Sequence, residues 1–119
     1  MNQVEILYSL LDKIVSDLNA SPTFQLTLHQ QDVVKKHMSV SGANGRLWVS
    51  PSKGGYDISL SGLSLENALT GALISYFGRE ADGYKQKNSN KGFNRQPFWR
   101  TRDFNDVKIV CEMYARTEK

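Results

Sequence analysis

Residues 23–61 read TFQLTLHQQDVVKKHMSVSGANGRLWVSPSKGGYDISLS, and this stretch decides the fold. From Thr23 to His29 the pattern alternates. Phe24, Leu26 and Leu28 share one side, and Thr23, Gln25, Thr27 and His29 the other, which is the two-residue period of a half-buried strand. Residues 30–37 are too polar to assign. Met38 and Val40 then alternate with Ser39 and Ser41. Asn44-Gly45 is a hairpin signal, because both residues tolerate the positive φ that a type I′ turn requires. It joins a strand over about 36–42 to one at Arg46–Ser50. Pro51-Ser52-Lys53-Gly54-Gly55 makes a second turn, and Tyr56, Ile58 and Leu60 alternate again beyond it. The expectation is an antiparallel meander of three or four strands.

Outward from the meander the period changes. Over residues 2–19, Val4, Leu7, Leu11, Ile14, Val15 and Leu18 recur at helical spacing, and Asn19 and Pro22 end the helix. Beyond residue 61, Ser64 is a candidate N-cap. Leu65, Ala68, Leu69, Ala72, Leu73, Tyr76 and Phe77 form a stripe, and Gly78 stands where a left-handed C-terminal residue belongs. Gly71 inside this helix suggests a close approach to the sheet. Residues 79–97 read as a long basic loop, and Phe98–Arg102 as a further strand. For 104–115 two readings stand. Phe104, Val107, Cys111 and Tyr114 fit a helix capped by Asp103, and Val107, Ile109, Cys111 and Met113 fit a strand; helix is narrowly preferred. The fold class is therefore α+β: a small antiparallel sheet of three to five strands packed on an N-terminal and a central helix, with a C-terminal helix or strand. At 119 residues, with no repeats, the chain reads as one domain over residues 1–119.

Charge is unevenly placed. Residues 79–102 hold seven of the fifteen Lys and Arg (Arg79, Lys85, Lys87, Lys91, Arg95, Arg100, Arg102) and two of the twelve acids, Glu80 and Asp82. That segment is +5 and the remainder −2, although the whole chain is only +3. Tyr84, Phe93, Phe98 and Trp99 are interleaved with these cations. Such a mixture suits phosphates and unpaired bases, and it suits a protein interface, where Trp, Tyr and Arg dominate the binding energy. A plainer alternative is a solvated loop anchored by its aromatics. Trp48 is a second candidate contact. If Leu47 and Val49 face the core, Trp48 faces away from it, either exposed or covered by a terminal element.

Other chemistry finds little footing. His29, His37 and the single Cys111 lie far apart and match no metal-ligand spacing, so no metal or cofactor is expected. Cys111 falls on an apolar stripe in either reading of its segment and is expected to be a buried small hydrophobe. One cysteine leaves no internal disulfide. Met1-Asn2-Gln3-Val4-Glu5 lacks the features of a secretory signal, and no run approaches the ~20 apolar residues of a membrane span. The expected setting is cytoplasmic, with no membrane role.

By elimination, the leading expectation is a small non-enzymatic protein-binding module of inhibitor, immunity or adaptor type, with an unidentified protein partner. Its contact residues would be Tyr84, Lys85, Lys87, Lys91, Phe93, Arg95, Phe98, Trp99, Arg100, Arg102 and Trp48. The alternative is an RNA- or single-stranded-DNA-binding domain using the same segment, 79–102.

Overall fold

The computed structural model describes residues 3–21, 24–32, 37–42, 45–89 and 92–117, and of residues 3, 30–32, 37, 85–89 and 92–95 only the backbone. Three helices and six strands follow in the order α1 (Gln3–Asn19), β1 (Thr27–Asp32), β2 (His37–Gly42), β3 (Gly45–Ser52), β4 (Gly55–Ser61), α2 (Leu63–Phe77), β5 (Gly83–Ser89), β6 (Gly92–Thr101) and α3 (Phe104–Thr117). The strands form one antiparallel sheet in the order β1-β2-β3-β4-β6-β5. The fold is α+β, with one more strand than the upper end of the sequence reading. The extra strand, β5, and the first part of β6 come from the segment read as a loop.

The meander forms from its alternation. Met38, Val40, Leu47, Val49, Ile58 and Leu60 are fully or almost fully buried and pair across the register as Met38–Val49–Ile58 and Val40–Leu47–Leu60. All three helices pack on that side, and their apolar stripes join these residues in one core. α1 contributes Val4, Leu7, Leu11, Ile14 and Val15; α2 contributes Leu65, Leu69 and Leu73; α3 contributes Val107, Val110, Cys111 and Tyr114. The C-terminal segment is thus a helix. Its period places Val107, Val110, Cys111 and Tyr114 on one face, and Asp103 caps it by accepting the Asn105 N–H at 2.9 Å. The Tyr114 hydroxyl donates to the Gly45 carbonyl at 2.8 Å, tying α3 to the sheet.

Local chemistry differs from the sequence reading at several ends. Asn19 does more than end α1: its side-chain amide donates to Leu26 O and accepts from Leu26 N, at 2.8 and 2.9 Å, as a neighbouring strand would. The β1 ladder begins only at Thr27. Gly42 pairs with Gly45, so the β2–β3 connection is residues 43 and 44, one position before the Asn44-Gly45 pair; Asn44 itself lies outside the described residues. Gly45 takes the positive φ, 99°. The β3–β4 turn is tighter than 51–55, because Pro51 and Ser52 still pair with β4. Gly62 rather than Ser64 occupies the N-cap of α2, while Gly78 ends it in the left-handed region, its N–H bonded to Ile74 O. Gly71 is exposed with no atom near its missing Cβ, so it mediates no close approach.

The largest correction concerns residues 79–97. Instead of a long loop, Gly83–Ser89 and Gly92–Phe98 pair as a two-stranded ribbon. A ribbon needs backbone pairing but no apolar face, so its Lys, Asn and Gln give no burial period for a sequence reading to detect. β6 then serves two ladders. Its first seven residues pair with β5, and Phe98–Thr101 pair with β4.

Candidate functional site

Helices occupy one face of the sheet, and among the described residues none crosses the other. The register defines what that second face carries. One row across it runs His29, Ser39, Trp48, Ser59, Phe98, with Gly83 beside Phe98 on β5. A flanking row runs Thr27, Ser41, Arg46, Ser61, and another runs Ser50, Asp57, Arg100. The face is therefore mostly small and hydroxylic, punctuated by two aromatic rings, two arginines and a histidine. Ser39 and Ser59 are buried although no helix covers them. They stand directly opposite the large side chains of the same row, whose Cβ atoms lie only about 5 Å away in such pairs. The Ser39 hydroxyl has no hydrogen-bond partner among the described residues.

Trp48 resolves as facing away from the helices. It is half-buried, its indole N–H donates to Ser61 Oγ at 2.8 Å, and the Arg46 guanidinium lies 5.9 Å from its ring centroid. Phe98 is also half-buried on this face. Its ring lies across Gly83, where a Cβ would come within 2.7 Å of it, and the Arg100 guanidinium sits 5.5 Å from its centroid. Each ring thus stands beside a cation at cation–π distance. His29 shares a 2.7 Å hydrogen bond with Ser41.

Arg100 is built in more firmly than an interface arginine. It forms a bidentate pair with the buried Asp57, at 2.7 and 3.0 Å, and its backbone N–H donates to Asp82 at 2.7 Å. Arg79 grips Asp82 with two bonds of 2.9 Å and also donates to Arg100 O. The Arg79 hydrogen bond, with help from the Arg100 backbone and both positive charges, holds the Asp82 carboxyl below its ordinary range. This network fixes the junction where the ribbon leaves the sheet.

The other expected contact residues divide. Trp99 is a correction. It is fully buried on the helix side, stacked on Phe77 with centroids 6.3 Å apart, and its indole N–H donates to Arg79 O at 3.2 Å. Alternation along β6 sends Phe98 and Arg100 to one face and Trp99 to the other, so the Phe-Trp-Arg run is not one surface. Arg102 is exposed and lies one residue beyond the end of β6. Tyr84 is 50% exposed and stands opposite Pro97. Lys85, Lys87, Phe93 and Arg95 take their places in the ribbon ladder, their side chains outside the described residues, and Lys91 lies outside them altogether.

Residues missed in the sequence were Arg46, His29 and Asp57. Arg46 was legible, since it has the parity of Trp48; the Asp57–Arg100 pair, spanning two strands far apart in the chain, was not. No group of three His, Cys, Asp or Glu among the described residues is placed to hold a metal. Burial pushes the Cys111 thiol up to about 12, so it is not ionised at neutral pH.

The strand-bearing and helix-bearing segments differ in charge. The segments that hold the strands, 23–61 and 83–101, carry nine Lys and Arg and two acids, a net of +7; the remaining segments carry six and ten, a net of −4. No protein-family model matches the chain, and no curated protein or solved structure is significantly similar to it.

Proposed function

We propose that this chain is a nucleic-acid-binding module that lays the helix-free face of its sheet, with the basic ribbon at one side, against its ligand. The observation that carries the reading is the segregation of charge between the strand-bearing and the helix-bearing segments. A chain of only +3 is a weak attractor of phosphates, but +7 concentrated in its strand-bearing segments makes a stronger one. One of the two acids in those segments, Asp57, is already paired with Arg100. The segment 83–101 has five cations and no acid.

A protein partner for an inhibitor, immunity or adaptor role has lost its main anchor. Trp99, its best hot-spot residue, is in the core, and Arg100 is held by Asp57. Hot spots are well-packed aromatic and arginine anchors, and among the described residues that role is left to Trp48, Phe98 and Tyr84.

Fluorescence anisotropy with mixed-sequence RNA and DNA at several salt concentrations tests the proposal. The affinity is expected to fall linearly on logarithmic axes, by about 0.7–0.9 for each phosphate neutralised. Replacing Lys85, Lys87, Lys91 and Arg95 together by Gln is expected to flatten that slope by roughly one unit per lost contact. Absence of binding at low salt would discard the proposal and return the protein-partner reading to first place.

A further inference from the structure

We infer that the ligand of the helix-free face is a single strand, with Trp48 and Phe98 as its stacking residues; the inference rests on the nucleic-acid reading above. Duplexes present phosphates and groove edges, and their base faces are hidden in the stack. Proteins that read them insert a helix, a projecting ribbon or an arm into a groove. All three helices here pack their apolar stripes on the core, and the helical segments carry the acidic excess. What the molecule offers is a sheet face with rings on it.

The placement of those rings suits unpaired bases. Trp48 on β3 and Phe98 on β6 lie in the same row of the register, with only Ser59 of β4 between them. Two strand spacings separate them, about 9.6 Å, within the reach of one extended nucleic-acid strand crossing the sheet. Ser59 between them is a small side chain, buried between its two larger neighbours in the row. Each ring carries its own arginine, Arg46 at 5.9 Å from the Trp48 centroid and Arg100 at 5.5 Å from that of Phe98. A base stacked on Trp48 would bring its phosphate toward Arg46, combining the two interactions that single-strand binders use, while Arg100, paired with Asp57, serves to hold the Phe98 ring in place. The sequence of the ribbon segment adds Lys85, Lys87, Lys91 and Arg95 without an acid.

The two tryptophans make a direct test, because Trp99 is fully buried and Trp48 half-buried. Titration with oligothymidylate, oligouridylate and a duplex of mixed sequence, read by tryptophan emission and by anisotropy, is expected to show tighter binding of the single strands and quenching of Trp48. Trp48→Ala is expected to weaken single-strand binding about tenfold, the usual loss for one stacked base, with the salt slope unchanged. Trp48→Phe keeps a stacking ring but loses the bond to Ser61, and is expected to retain most of the affinity. Circular dichroism of both variants checks that the sheet is intact. Equal or tighter binding of duplex, or a Trp48→Ala protein that is folded and binds single strands normally, would overturn the inference and leave the nucleic-acid proposal standing. No binding of any of the three probes would remove both.

Discussion

Trp99→Ala is expected to lose about 3–5 kcal/mol in urea unfolding, the range for deleting a large aromatic from a packed core. Domains of this size have about 5–15 kcal/mol in total, so the variant should be largely unfolded at elevated temperature and poorly recovered on expression. The cause is threefold. The side chain is fully buried, its ring stacks on Phe77, and its N–H satisfies the Arg79 carbonyl where α2 turns into the ribbon. Substitution leaves a cavity and an orphaned carbonyl together. Trp48→Ala, which removes a half-buried ring from the other face, is the matched control and should cost much less. Equal midpoints for Trp99→Ala and the unsubstituted chain would refute the placement of Trp99 in the core.

Gly55→Ala should also be severe, and for a reason unrelated to the volume removed. Gly55 is the first residue of β4 after the tight turn, and a Cβ there would run into the Thr101 carbonyl oxygen, with the Thr101 carbonyl carbon 2.9 Å and the Arg102 Cα 3.1 Å away. All three atoms are backbone, so no side chain can swing aside. The β4–β6 ladder must open at Tyr56–Thr101 to admit the methyl group. Overpacking of this kind costs about 1–3 kcal/mol, and the upper end is expected because the obstruction is backbone. Gly71→Ala gives the opposite sign. That position is helical, exposed and has nothing within 4 Å of the added atom. It should stabilise the protein by up to about 1 kcal/mol. Chemical denaturation of the two variants side by side measures both effects, and a Gly55→Ala protein as stable as the parent would contradict the close approach of β6.

The parts of the fold legible in the sequence were those in which burial imposes a period. Helices α1 and α2 and the strands of the meander announce themselves because one side of each must be apolar. The C-terminal segment was ambiguous because Val107 and Cys111 satisfy both a helical and a strand period; only packing against α1 and α2 makes Val110 and Ala115 core residues and decides for helix. The ribbon was illegible for the converse reason: its backbone pairs, but its residues supply no apolar alternation. For the candidate site, the concentration of charge was visible, but which aromatics share a surface was not. Phe98, Trp99 and Arg100 are neighbours in the chain and are divided by the sheet, whereas Trp48 and Phe98 are fifty positions apart and fall in one row. The register joins them, and it follows from the β4–β6 pairing that no local pattern encodes.

That same pairing has a kinetic meaning. Every other ladder joins partners no more than fifteen positions apart, so each can close as a local hairpin. The β4–β6 ladder joins Ile58 to Trp99 and Tyr56 to Thr101, with a helix and a strand threaded between. Its closure carries a larger loop entropy and must await the folding of what lies inside the loop. The meander and the ribbon are thus expected to behave as separately formed halves, joined in the slow step. Substitutions along Ile58 and Trp99 should then slow folding, while those at the Leu28–Val40 pair should chiefly speed unfolding, a contrast that stopped-flow refolding would reveal or reverse. The row that brings Trp48 beside Phe98 would be assembled last, so the proposed binding face would exist only in the completed fold.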